Sequence, residues 1–130
     1  MSNIKYTEDY QIIEENKIYY KYYKNGIPTV LFEAGLGDDC VIWEEIQDKV
    51  SQYTTTFSYD RVGVGKSEGA EGALITRTGL DIVQDLSNLV SKIPLNPPFL
   101  LVGHSFGGLI SRLFASINPD NVAGIILDRK

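Results

Sequence analysis

The feature that most constrains this chain is a serine flanked by glycines, where an apolar run meets a helical pattern. Gly-x-Ser-x-Gly occupies residues 103–107, so Ser105 is predicted to lie on a strand-to-helix turn. A side chain can be presented on so sharp a turn only where its neighbours are small, and Gly103 and Gly107 provide that room. The first N–H groups of a helix have no partner within it, so the N–H of Phe106 is placed to stabilise an oxyanion.

The rest of the chain alternates between β-prone and helical segments, which predicts an α/β fold. Two tyrosine-rich runs separated by Glu15-Asn16 predict an antiparallel hairpin, and Asn25-Gly26 predicts a second tight turn. The predicted strands are Tyr10 to Glu14, Lys17 to Tyr23, Thr29 to Glu33, Thr54 to Tyr59, Phe99 to Val102, and Val122 to Leu127. The last strand is almost wholly apolar, so we expect helices to cover both of its faces.

Three helices are predicted from apolar residues at helical spacing. The first follows a glycine-rich loop, and its apolar positions on one face are Ile42, Trp43, Ile46 and Val50. The second begins at a capping box formed by Thr78 and Asp81 and is stopped by Pro94. The third follows Ser105 and ends at Asn118-Pro119.

The serine motif reads Gly-His-Ser-x-Gly-Gly and resembles the nucleophile elbow of α/β-hydrolases. The resemblance runs in order from about Tyr10 to the last residues, and the sequence Asp-Arg-x-Gly-x-Gly-x-Ser at 60–67 resembles the turn after the family's fourth strand. It implies an α/β-hydrolase-type, mostly parallel sheet, with an N-terminal antiparallel hairpin and then βα units, truncated after about the sixth strand. Residues 1–130 would then be a partial domain, the N-terminal half, without a cap domain or C-terminal strands.

The resemblance also implies a serine hydrolase that acts on ester, amide or similar small acyl substrates. Ser105 would be the nucleophile, and the N–H groups of Phe106 and Leu36 would be the oxyanion donors, since the family's loop after the third strand supplies the second donor. The family places its catalytic histidine after the serine. The single histidine of this chain is His104, so the chain alone is expected to be catalytically incomplete.

Other charged residues near the motif are interpreted as structural. The side chain of His104 is expected to leave the tight turn in a different direction from that of Ser105. Asp60 and Arg61 lie in a glycine-rich turn, where a charged pair is expected to satisfy loop backbone groups. A lysine base is an alternative known from other hydrolases, but no lysine occupies a motif-defined position. With no histidine to orient, Asp128 is not assigned to the site.

The composition of the chain limits the kinds of molecule that it is expected to bind. A net charge of −5 and a pI near 4.8 argue against nucleic acid or an anionic membrane surface. The glycines lack the spacing of nucleotide-binding loops, so no cofactor is expected, and no metal site is expected either. One cysteine, Cys40, cannot form an internal disulfide, and no signal peptide or membrane span is evident, which indicates a cytoplasmic protein.

Two non-catalytic interpretations stay open from the sequence. The chain could be a binding module that pairs an exposed sheet edge with a partner strand, or a truncated gene product. An apolar strand at a sheet edge carries unpaired N–H and C=O groups. We therefore expect self-association or pairing with a complementing C-terminal chain.

Overall fold

A computed structural model describes residues 6–35, 37–69 and 77–128. The strands are β1 Tyr6–Ile13, β2 Asn16–Tyr23, β3 Thr29–Glu33, β4 Thr55–Tyr59, β5 Phe99–His104 and β6 Val122–Asp128. The helices are α1 Glu44–Val50, α2 Gly79–Lys92 and α3 Phe106–Ile117, and short 3-10 turns span Cys40–Trp43 and Pro119–Asn121. No helix in the described ranges is both long and apolar enough to cross a membrane.

The described strands form one mixed sheet in the order β1-β2-β4-β3-β5-β6. β1 pairs antiparallel with β2, and β2 pairs antiparallel with β4. β3 pairs parallel with β4 and with β5, and β5 pairs parallel with β6. The predicted α/β-hydrolase-type sheet is confirmed. Because β3, β4 and β5 are parallel neighbours, the loops that follow them meet at one edge, where α/β proteins bind ligands.

The central strand β3 is covered on both of its faces, because its side chains are apolar on both. Leu31 packs into a core cluster with residues of α2 and α3, including Leu86 and Phe114. Its neighbours on the strand, Val30 and Phe32, pack on the opposite face against Trp43. This alternation follows from the period of two along a strand, and packing on both faces fixes the carboxyl end of β3 in the interior of the sheet.

The capping box of α2 is confirmed. The side chain of Thr78 accepts from the N–H of Asp81 at 3.1 Å, and the Asp81 carboxylate accepts from the N–H of Thr78 at 2.9 Å. Val83, Leu86 and Leu89 are buried, as the apolar spacing predicts. The helix ends at Lys92, two residues before Pro94.

The hairpin turn lies one residue earlier than predicted. Ile13 pairs with Asn16, so the two-residue loop is Glu14-Glu15 rather than Glu15-Asn16. Both glutamates have positive φ, 48° and 70°, as a type I′ turn requires. Neither is a residue that favours this conformation, so the sequence carried no turn signal at these positions.

The apolar face predicted for the first helix is right at Trp43 and at Val50, which packs against the cluster that contains Trp43, and wrong at the other two positions. Trp43 is buried, but Ile42 and Ile46 are 43% and 47% exposed. A 3-10 turn with three residues per turn precedes α1, so the stripe predicted for a continuous α-helix is out of phase with the sheet. The buried residues are instead Cys40, Trp43 and Gln47, and the Gln47 amide is satisfied by the Lys21 carbonyl at 3.0 Å.

The expectation that both faces of the last strand are covered is also wrong. β6 lies at the end of the sheet and pairs only with β5 among the described strands. Ile126 is 52% exposed, and Leu127 is exposed as well. The apolar composition of β6 therefore presents an open, hydrophobic sheet edge.

Candidate active site

Ser105 lies at the carboxyl end of β5 and directly before α3, with φ 54° and ψ −116°. A positive φ is uncommon for a residue with a side chain and costs of order 1–3 kcal/mol, which the surrounding structure must offset. The Ser105 side chain is exposed and does not cap α3 within the described structure. The conformation is that of a sharp strand-to-helix turn with its hydroxyl presented at the surface, as the Gly-x-Ser-x-Gly pattern predicts.

Gly103 and Gly107 make this turn sterically feasible. A Cβ at Gly103 would lie 2.6 Å from the carbonyl oxygen of Gly107 and 2.7 Å from Cα of Gly108. A Cβ at Gly107 would lie 2.6 Å from the carbonyl carbon of Glu33 and 2.7 Å from the carbonyl oxygen of Ala34. All four contacts are to backbone atoms that no rotamer change can move, so these positions admit only glycine without a backbone shift.

The structure describes one of the two expected oxyanion donors, Phe106, and not the other. Phe106 is the first residue of α3, so its N–H is one of the helix's unpaired terminal donors. Leu36, the other expected donor, lies outside the described residues. Its neighbour Gly35 packs against the elbow, because a Cβ there would lie 3.1 Å from Cδ2 of His104. The loop after β3 therefore reaches the turn that carries Ser105.

The side chain of His104 contacts Asp128 and Trp43. Its Nδ1 is buried and lies 3.5 Å from Oδ2 of Asp128, and its ring meets that of Trp43 edge-on with centroids 6.5 Å apart. The Ser105 N–H donates to the Asp128 carbonyl at 3.1 Å. These contacts fit the structural interpretation of His104, and they tie the end of β6 to the turn.

Asp60 and Arg61 satisfy loop backbone groups, as expected. The Asp60 carboxylate accepts from the N–H groups of Cys40 at 2.7 Å and Lys66 at 2.8 Å. The Arg61 guanidinium donates to the carbonyls of Ala34 at 2.6 Å and Gly35 at 3.2 Å. Both side chains are buried, so the loops after β3 and β4 are bound to each other.

Glu33 is a member of the site that sequence reasoning missed. It is fully buried at the end of β3, with Arg61 Nη2 3.0 Å and the Tyr59 hydroxyl 2.9 Å from Oε1. Burial raises the pKa of Glu33, while the charge of Arg61 acts in the opposite direction, and burial raises the pKa of Tyr59 well above its usual value. The available signal was a single acidic residue at the end of a buried apolar strand, with an arginine after the neighbouring strand.

An open groove of about 320 Å³ lies beside Ser105, between α3 and the edge strand β6. Its lining residues are Gly103, Ser105, Gly108, Leu109, Arg112, Leu127 and Asp128. The groove is apolar along Leu109 and Leu127 and polar where Ser105 lies. Among the residues the structure describes, no group of three or more His, Cys, Asp and Glu side chains is arranged to hold a metal ion.

The chain is similar to known proteins over most of its length. It is 33% identical to an uncharacterized protein of Bacillus subtilis (strain 168) over 99 residues, covering 76% of this chain and 38% of that protein. It is 32% identical to the monoglyceride lipase of Rattus norvegicus over 117 residues, covering 85% of this chain and 38% of the lipase. The chain thus spans 38% of the length of each of these relatives.

Solved structures share the fold. An alpha/beta hydrolase from Novosphingobium aromaticivorans superposes with a TM-score of 0.83 at 24% identity, covering 98% of this chain and 44% of that chain. At that identity the likeness shows the fold alone. A family model described as alpha/beta hydrolase fold matches residues 28–129, which is most of the chain. The chain therefore belongs to the α/β-hydrolase family.

Proposed function

We propose that this chain carries the nucleophile and oxyanion hole of a serine hydrolase that acts on ester, amide or similar small acyl substrates. The observation that carries the proposal is the backbone of Ser105, which holds a positive φ between β5 and α3 with its side chain exposed. Strained backbone that the fold maintains clusters at active sites. Here it presents a hydroxyl beside the unpaired N–H of Phe106.

In the proposed reaction, Oγ of Ser105 attacks the acyl carbon while a base removes its proton. The carbonyl oxygen becomes an oxyanion that accepts from the N–H groups of Phe106 and Leu36. The leaving group departs with a proton, and water then attacks the acyl-enzyme and releases the acid. This chemistry requires no metal or organic cofactor, and we propose none.

The base is proposed to come from outside these 130 residues. A serine hydroxyl is a weak nucleophile until an adjacent base takes its proton, and the one histidine, His104, has its Nδ1 buried beside Asp128. Hydrolases that lack one member of the catalytic triad keep only a residual rate, roughly 10³–10⁴ over the uncatalysed reaction. By itself the chain would therefore turn over esters very slowly, and a complementing C-terminal segment would supply the histidine and its acid.

The acyl-substrate class rests on the elbow and is supported by the relative named monoglyceride lipase. The groove beside Ser105 has leucines along it and an opening to solvent, which suits an acyl chain. We also propose a cytoplasmic location, because the single cysteine is buried and has no second cysteine with which to pair.

Hydrolysis of p-nitrophenyl butyrate by non-aggregated protein tests the proposal that the base comes from outside the chain, with Ser105→Ala as the test variant. Ser116→Ala is a matched control, since Ser116 is exposed on the same helix and its hydroxyl donates to the Leu113 carbonyl of that helix. We expect wild type and both variants to hydrolyse the ester at similar, very low rates. Rapid turnover that Ser105→Ala abolishes would mean that the chain contains its own base, and the proposal that the base comes from elsewhere would be wrong.

A second candidate function is a binding module, and the open edge of β6 favours it. Ile126 and Leu127 are exposed there, next to unpaired backbone groups that a partner strand can bind. The partner would be a second copy or a complementing chain. Sedimentation at several concentrations tests this, with Ile126→Lys as the variant: loss of association in the variant supports edge pairing, and a wild type that stays monomeric throughout excludes self-association.

A further inference from the structure

One buried side chain contacts both segments that form the proposed oxyanion hole. Arg61 donates to the carbonyls of Ala34 and Gly35 in the loop after β3. The carbon of the same guanidinium lies 5.4 Å from the centre of the Phe106 ring, within the range of a cation–π contact. Arg61 therefore bridges a loop near residue 35 and a helix that begins at residue 106.

The guanidinium is itself held in place. Glu33 is 0% exposed and Arg61 is 8% exposed, and their charged atoms lie 3.0 Å apart. The Tyr59 hydroxyl donates to the same carboxylate oxygen at 2.9 Å. An ion pair this deeply buried is not explained by stability alone, because an apolar replacement of similar volume is often at least as stable. What it provides here is a planar, fixed set of donors aimed at two backbone carbonyls.

The geometry of the loop explains why those donors matter. The Gly35 carbonyl also accepts from the N–H of Asp38 at 3.0 Å, so Arg61 and a tight turn hold the same oxygen. The Gly35 carbonyl is therefore held by donors from two separate segments, and the loop after β3 cannot shift away from Arg61 without breaking one of these hydrogen bonds.

We propose that Arg61 is a positioning residue that keeps the loop after β3 and the start of α3 in register as the two halves of the oxyanion hole. The assignment to an oxyanion hole rests on the proposed function of Ser105. Arg61 makes no contact with the acyl group in this account. It acts through the peptide groups that it holds and through the ring of Phe106.

Backbone ¹⁵N relaxation tests the proposal, with the amides of Gly35, Gly37 and Phe106 as probes. Arg61→Lys keeps the charge beside Glu33 but loses the planar fork that reaches two carbonyls. We expect the order parameters of the probes to fall from roughly 0.85 in wild type to below about 0.6, while the core strands stay rigid. Arg77→Lys, the same change at an arginine that pairs with Asp85 of α2 and is not among the residues that line the groove, is the matched control and is expected to leave the probes unchanged.

Two measurements separate positioning from a purely structural role. Urea denaturation reports how much Arg61→Lys destabilises the whole chain. The double variant Glu33→Gln/Arg61→Met removes both charges of the ion pair and leaves no unpaired buried charge, and its unfolding free energy is measured in the same way. Loosened probe amides in a folded variant support positioning. Probe amides as rigid as those of wild type, with only a lower unfolding free energy, overturn it.

The outcome does not depend on the reactivity of Ser105, since relaxation is measured without substrate. If a fluorophosphonate does not label Ser105 even when imidazole is added as a base, the proposed function fails while the relaxation result still decides whether Arg61 holds the two segments. If Ser105 reacts but the probes are unaffected by Arg61→Lys, the positioning role alone fails.

Discussion

Replacing Gly107 with alanine tests how the turn at Ser105 is built. The added Cβ would lie 2.6 Å from the carbonyl carbon of Glu33 and 2.7 Å from the carbonyl oxygen of Ala34, whereas ordinary contacts begin near 3.4 Å. The backbone at the end of β3 would therefore have to retreat by roughly 0.7 Å or more from a close-packed position. That stretch is paired with β5, so the shift is resisted.

The expected change in the free energy of unfolding combines two opposing contributions. Overpacking a well-packed interior costs typically about 1–3 kcal/mol, and contact with unyielding backbone places Gly107→Ala at the upper end of that range. Alanine's higher helix propensity offsets at most about 1 kcal/mol. We expect Gly107→Ala to lower the free energy of unfolding by about 2 kcal/mol. Gly108→Ala, the next position of the same helix, meets only Cδ2 of Leu127 at 3.0 Å, which can turn away at the open edge, so its change should stay within about 0.5 kcal/mol.

Urea denaturation followed by fluorescence of Trp43, the only tryptophan, measures both variants. Trp43 is buried against Phe32 with ring centroids 5.1 Å apart, so its emission reports loss of the core. Equal unfolding free energies for Gly107→Ala and Gly108→Ala would refute the reasoning, because the two substitutions differ in what their Cβ atoms contact.

Thr78→Ala removes the N-cap of α2 and should lower the free energy of unfolding by about 1 kcal/mol in urea. Hydrogen bonds from Thr78 lower the pKa of Asp81 below its ordinary value of 3.8. The ionised Asp81 carboxylate therefore stabilises the fold fully above pH 3.8, and this stabilisation is lost as the pH falls through the lowered pKa. The difference in unfolding free energy between wild type and Asp81→Asn should shrink only in that acidic range. Glu15→Gly relieves a φ of 70° and should raise the unfolding free energy by about 1 kcal/mol, whereas Glu15→Ala keeps the strain and gives no such gain. Burial raises the pKa of the Cys40 thiol to about 12, so iodoacetamide at about pH 8 should modify it only as the chain opens, and labelling at the rate of a free thiol would contradict this.

Local sequence signals predicted most of the elements. The strand Thr29–Glu33 has the bounds that its buried apolar run indicated, and the capping box placed the start of α2 correctly. Both rest on interactions within a few residues, which a sequence pattern carries directly. The turn residue Ser105 was likewise predicted from its glycine neighbours, because close backbone contact there requires glycine.

The features that the sequence did not predict are those determined by tertiary structure. The exposure of Ile42 and Ile46 follows from a 3-10 turn that changes the phase of the next helix, and nothing in the apolar spacing shows that change. The partnership of Glu33 with Arg61 joins residues brought together only by the parallel pairing of β3 with β4. The sequence predicted that Arg61 serves the loop backbone, but it did not predict the buried carboxylate that holds it.

The central proposal is that Ser105 is a nucleophile whose base is not supplied by these 130 residues. A fluorophosphonate tests it most directly: Oγ forms a bond to phosphorus, fluoride leaves, and the serine proton passes to a base, for which imidazole can be added in solution. We predict a single adduct by intact mass, mapped to Ser105, absent in Ser105→Ala, present in Ser116→Ala, and formed faster as imidazole is added. Equal labelling of wild type and Ser105→Ala, or no adduct at any imidazole concentration, would contradict the account.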